Sequence, residues 1–125
     1  MVYIEKTEKS VQEIVDAIKN IASEYKFGVL HIHNVKETLS SKGIDLKNEC
    51  QILDVCNPIV ANEFLTQDMS LSSIMPCKIS VYTDNNETHI AMNSLVQLVD
   101  DINPDFIDLA QDTQNSLLEI IKKVI

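Results

Sequence analysis

The chain has 125 residues, 45% hydrophobic and 23% charged, values that fit one globular domain rather than a disordered or fibrous chain. Nineteen acidic residues against ten lysines give a formal charge of −9, and arginine is absent, which argues against binding nucleic-acid phosphates. No apolar run approaches the ~20 residues of a spanning helix, and no basic amphipathic face suits a membrane surface.

The opening residues Met1 to Lys6 contain no apolar leader, so the three cysteines are expected as reduced thiols in the cytoplasm. Val2 to Lys6 alternates, Val2 and Ile4 against Tyr3 and Glu5, and predicts a first strand. Ser10-Val11-Gln12-Glu13 fits a capping box. Behind it Val11, Ile14, Val15, Ile18, Ile21, Ala22 and Tyr25 form one stripe of an amphipathic helix, which Gly28 is expected to close.

Val29 to Asn34 reads as a second strand, with Leu30 and Ile32 facing opposite to His31 and His33. Asn34 is a candidate cap for a short helix from Val35 to Lys42, and Gly43 a candidate terminator. A third strand spans Cys50 to Cys56. Asn57-Pro58 then starts a helix that runs to about Gln67: the Asn side chain caps a free amide, and Pro lacks the one that would go unpaired. An unusually apolar loop follows, with Met69, Leu71, Ile74 and Met75.

Cys77 to Thr83 and Thr88 to Met92 predict a hairpin turning at Asn85-Asn86, because Asn tolerates the left-handed conformation of a two-residue turn. That register sets Tyr82 opposite His89 and Val81 opposite Ile90. Its core face carries Cys77, Ile79, Val81, Ile90 and Met92; the outer face carries Lys78, Ser80, Tyr82, His89 and Ala91. Ser94 to Asp101 reads as a short helix. Asn103-Pro104 repeats the cap-and-proline device before a terminal helix that buries Ile107, Ala110, Leu117, Ile121 and Val124.

Phe27-Gly28-Val29-Leu30, Gly43-Ile44-Asp45, Ile52-Leu53, Cys56-Asn57-Pro58, Pro76-Cys77 and Ala91-Met92 occur in this order at spacings that resemble the bacterial and archaeal family called domain of unknown function 302. The Cys-Asn-Pro and Pro-Cys pair is the most specific part. The resemblance implies a compact α+β homodimer and supplies no activity. Asp54 departs from it, standing where a small residue is usual, and so does Asn93-Ser94, where Asp-Pro is common. Asn93 carries no charge and cannot act as a base.

Cys56 and Cys77 admit two readings: a thiol site for a nucleophile, redox pair or soft metal, or packing as small hydrophobes. A helix start beside Cys56 is expected to lower its thiol pKa. A strand-helix-strand connection of this length usually joins parallel strands, which would set Cys77 far from Cys56. His31 and His33 share a strand face and could reach one cation, with His89 or a carboxylate as a further ligand, or could face solvent. Met69, Leu71, Ile74, Met75 and Met92 could line a pocket for an apolar ligand or haem, or simply lid the core. The acidic run from Asp100 to Asp112 reads as a solvated helix face.

The expected architecture is a single α+β domain with a mainly antiparallel sheet of about five strands and helices on one face. The expected function is that of a homodimeric small-ligand or soft-metal binding module. Its ligand site would draw on Cys56, Asn57, Pro58, Cys77, Met75 and Met92, and its dimer contact on Tyr82, His89 and Ala91. A Cys56-dependent enzyme or sulfur carrier and a purely structural protein are the alternatives. No cofactor, catalytic residue or complete metal-ligand set is specified.

Overall fold

The computed structural model describes residues 1–125. The strands are β1 (Val2–Thr7), β2 (Gly28–Asn34), β3 (Cys50–Cys56), β4 (Cys77–Asp84) and β5 (Glu87–Asn93). The helices are α1 (Val11–Ile21), α2 (Val35–Ser40), α3 (Pro58–Gln67), α4 (Leu95–Ile102) and α5 (Ile107–Val124). Short 3-10 helices cover Ala22–Tyr25, Met69–Ile74 and Pro104–Phe106. One sheet, ordered β1-β5-β4-β3-β2, is antiparallel at every pairing.

Local chemistry sets these boundaries. The Ser10 hydroxyl accepts from the Glu13 amide at 3.1 Å, and the Glu13 carboxylate accepts from the Ser10 amide at 3.3 Å, which closes the capping box. Val11, Ile14, Val15 and Ile18 then bury one side of α1 against Leu53, Val55, Ile79, Val81 and Ile90 of the sheet. Leu117, Ile120, Ile121 and Val124 of α5 complete that core. Full burial of each such side chain contributes on the order of 1.5–3 kcal/mol. Asn85 and Asn86 both adopt positive φ, 51° and 63°, and the hairpin closes with Tyr82 opposite His89 and Val81 opposite Ile90, as the turn chemistry predicts.

Several expectations are corrected. The left-handed residue after the first helical region is Lys26, φ 66°, while Gly28 opens β2. The register of β2 shifts between Val29 and His31, so Leu30 bulges outward and is exposed, whereas Ile32 packs on the core. α2 stops at Ser40, and Gly43 takes φ 79° two residues beyond its cap Ser41. α5 starts at Ile107, which is only half-buried, and hides Thr113, Gln114 and Ile120 as well.

The most consequential correction concerns β3 and β4, which run antiparallel although a helix joins them. The ten residues of α3 rise roughly 15 Å away from the sheet end. The six-residue 3-10 helix then returns about 12 Å, so β4 begins beside the point where β3 stopped. Val55 consequently lies opposite Cys77, and Cys56 is one residue further along.

Candidate functional site

The site is built at that junction. β3 delivers Cys56 to the sheet edge, and the Asn57 carboxamide oxygen accepts from the Val60 amide at 3.3 Å to start α3. Pro58 follows as the first helical residue and is exposed, so its part is to set the helix and not to touch a ligand. It has no amide, and the Ala61 amide is taken by the Asn57 carbonyl at 2.9 Å. Only the Ile59 amide is left free in that first turn, too little to make an anion site of the helix start.

The return segment is held from two sides. Asp68 caps it, accepting from the Ser70 amide at 2.9 Å, and accepts from the Asn103 side chain at 2.9 Å, which ties it to the end of α4. These hydrogen bonds keep the Asp68 carboxyl below its usual pKa, the Ser70 hydroxyl contributing most. Leu71 is fully buried in a second core with Phe64, Leu95, Val99 and Ala110. Met69, by contrast, is 67% exposed and lines nothing. The Met75-Pro76 peptide is cis and leads into Cys77.

Between α3, the end of β3 and this segment lies an open cavity of about 310 Å³. Cys56, Val60, Phe64, Met75 and Cys77 are among its walls, and no lining residue is charged. Leu30, pushed out by the β2 bulge, also reaches it. Its polar wall groups are the side chains of Asn57, Ser72 and Thr113. Asn57 spends its oxygen on the helix cap and Thr113 donates to the Leu109 carbonyl, so the Asn57 NH2 and the Ser72 hydroxyl are the groups free to meet a ligand. A second cavity of about 160 Å³ shares Met75, Pro76, Cys77 and Leu95 with the first, and Met92 lines this smaller space.

Five of the six residues expected at the site therefore line one of two adjoining cavities, with Cys56 and Cys77 in the larger. The thiols are not activated. Burial raises the Cys56 pKa, against the expectation of a helix-lowered value. Desolvation at the edge of the apolar core outweighs the field of α3, whose first-turn amides are already largely engaged. Cys77 is pushed up to about 11, first by burial and then by negative charge at Cys56. Cys50 sits at the far end of β3, its pKa also raised by burial with the Ser80 hydrogen bond opposing.

The opposite sheet face holds a second constellation. Asp54, only 9% exposed, accepts from Lys78 Nζ at 2.6 Å and pairs with His33 Nε2 at 2.8 Å. Lys78 and then His33 hold the Asp54 carboxyl below the usual range. The resemblance flagged Asp54 as unusual, but its partners come from β2 and β4, and no linear spacing announces them. His31 and His33 rings meet edge to face with centroids 4.3 Å apart, while His89, three strands away on β5, stacks on Tyr82 of β4 at 5.3 Å. His89 therefore does not join His31 and His33, and no three His, Cys, Asp or Glu side chains converge to hold a metal ion. No helix is long and apolar enough to cross a membrane.

An all-antiparallel five-stranded sheet with helices on one face and an uncharged cavity at one sheet edge defines a single-domain α+β protein. The sequence matches the family described as Domain of unknown function DUF302 over residues 3–124, and the chain belongs to that family. It is also similar to the crystal structure of an uncharacterized conserved DUF302 protein from Bacillus stearothermophilus, with 29% identity and a TM-score of 0.94. That match covers 99% of this chain and 98% of the other. No curated protein matches.

Proposed function

We propose that this protein is a small-ligand binding module whose ligand is uncharged and largely apolar and occupies the 310 Å³ cavity beside Cys56. The observation that carries this reading is the lining itself: a space of ligand size with no ionised wall group. Placing a charge there would cost several kcal/mol without a partner, so ions are selected against. An apolar cavity of about 150 Å³ takes up benzene, and this one has about twice that volume. The Asn57 NH2 would orient a ligand acceptor such as a carbonyl or ether oxygen. A Cys56-centred enzyme is the weaker reading, because its thiol is raised and no base hydrogen-bonds to it.

The module works as a homodimer in the cytoplasm with reduced cysteines. Three free, unbridged thiols support the reducing compartment. Val2 and Ile4, each 53% exposed, together with half-buried Ala91 and Tyr82, support pairing through the outer sheet face. His89, only 9% exposed, serves there by fixing Tyr82 through the ring stack.

Ligand-observed NMR with naphthalene and with naphthalene sulfonate tests the cavity reading. Naphthalene is expected to bind, the sulfonate not, and Ala61→Phe, which fills the cavity from α3, is expected to abolish the signal. Equal binding of the two probes, or undiminished binding to Ala61→Phe, would overturn it.

A further inference from the structure

The larger cavity has a bottom and a mouth of different chemistry. Phe27, Val55 and Phe64 on its wall are each at most 4% exposed, whereas Leu30 is 64% exposed and Ser72 is exposed as well. The two aromatic walls come one from each core, Phe27 from the main core and Phe64 from the smaller. Phe64 is held edge to face against Phe106, with centroids 6.2 Å apart, and Phe106 stays outside the cavity. The Phe64 ring is thus set before any guest arrives. Met75 brings a thioether to the same space. Aromatic rings carry a negative face and a positive edge, and sulfur is polarisable, so such walls favour a second ring over saturated carbon of the same shape. The free hydrogen-bond donors, the Asn57 NH2 and the Ser72 hydroxyl, belong to a half-buried and an exposed residue and so lie toward the mouth.

We infer that the ligand is a neutral aryl carbonyl compound, its ring inserted toward Phe27, Phe64 and Met75 and its oxygen accepting from Asn57 and Ser72 at the mouth. The inference rests on the cavity reading above and narrows it, from any apolar guest to an aromatic one bound in a single orientation. Size allows it, since an apolar cavity of about 150 Å³ already holds benzene. The polarity gradient fixes the direction of entry. A carbonyl pushed to the bottom would lose its hydration among Val55 and the two phenylalanines without gaining a donor, whereas at the mouth it exchanges water for Asn57 and Ser72. A saturated chain of equal volume would fill the space but forgo the ring and sulfur contacts.

Acetophenone and cyclohexyl methyl ketone share a skeleton and an acceptor and differ only in the ring. Ligand-observed NMR titration of the full chain gives the affinity of each, and comparing wild type with a variant cancels their different hydration. Met75→Leu keeps the volume and removes the sulfur, and Phe64→Leu removes the ring. Each is expected to weaken acetophenone by roughly 2- to 13-fold more than it weakens the saturated ketone. Ser72→Ala is expected to weaken both ketones by roughly 2- to 13-fold, the worth of one hydrogen bond, and to leave naphthalene, which has no acceptor, unchanged. Ser72 is exposed and Met75 half-buried, so those two variants carry the test if Phe64→Leu does not fold. Equal losses of the two ketones in Met75→Leu and Phe64→Leu, or ketone binding untouched by Ser72→Ala, would refute the inference while naphthalene binding upholds the cavity. Failure of naphthalene and both ketones removes the cavity reading with it.

Discussion

Asp54 and Cys77 show how one side chain's surroundings become measurable. The Asp54 carboxyl is held low by Lys78 and His33, so it favours folding at every pH above the ordinary carboxyl range near ~4. That contribution is lost as pH falls through its folded value. Thermal melts should therefore show wild type losing stability below about pH 4 more steeply than Asp54→Asn, whose amide does not titrate. Cys77 has the opposite sign. Its thiol is raised to about 11, so the folded state retains a proton that the unfolded chain sheds near ~8.5. Stability is complete below that value and declines toward pH 11, a decline that Cys77→Ala should flatten in denaturant titrations. Asn57→Ala removes the cap on α3 and should cost about 1 kcal/mol in the same assay, with the cavity mouth loosened as a result.

At the scale of elements, the 3-10 segment is the part on which the cavity depends. Leu71 anchors it in the second core, so Leu71→Ala should cost about 2–5 kcal/mol in chemical denaturation and weaken naphthalene binding. A variant that loses the stability but keeps the binding would separate the lid from the site. Signals carried by neighbouring residues were legible in the chain: the Ser10 capping box, the Asn57-Pro58 start and the Asn85-Asn86 turn each appear where their chemistry predicts. What was illegible depended on tertiary placement. The bulge at Leu30 has no glycine to mark it, and Lys26 takes the left-handed conformation beside a glycine that does not need it. The return path after α3 looked like the loop of a parallel unit, because a 3-10 helix gives no periodic apolar stripe. Motif position points to Cys56, Asn57 and Cys77 and the apolar loop points to Met75, whereas nothing in the chain marks Val60, Phe64 or Ser72, since a cavity wall has no sequence period.

For the molecule as a whole, the sheet divides the labour. One face carries both helices of the main core, and the hydrophobic clusters lie on that side and at the α3 edge. The other face keeps a cross-strand row of Ile4, Ala91, Ser80 and Ile52 that belongs to neither cluster. If that row is the dimer contact, Ala91→Glu should convert the protein to a monomer in sedimentation equilibrium while leaving naphthalene binding intact. An unchanged mass would exclude this face. The acidic surface, at −9 overall, disfavours an anionic guest, in agreement with a cavity lining that holds no cation to pair with one.

The central claim is that the space beside Cys56 admits a guest, and a crystal of the protein pressurised with xenon tests it most directly. The account predicts a xenon peak walled by Val60, Phe64, Met75 and Cys77, within contact of the Cys56 sulfur. A collapsed cavity, or xenon only at other places in the protein, would contradict it.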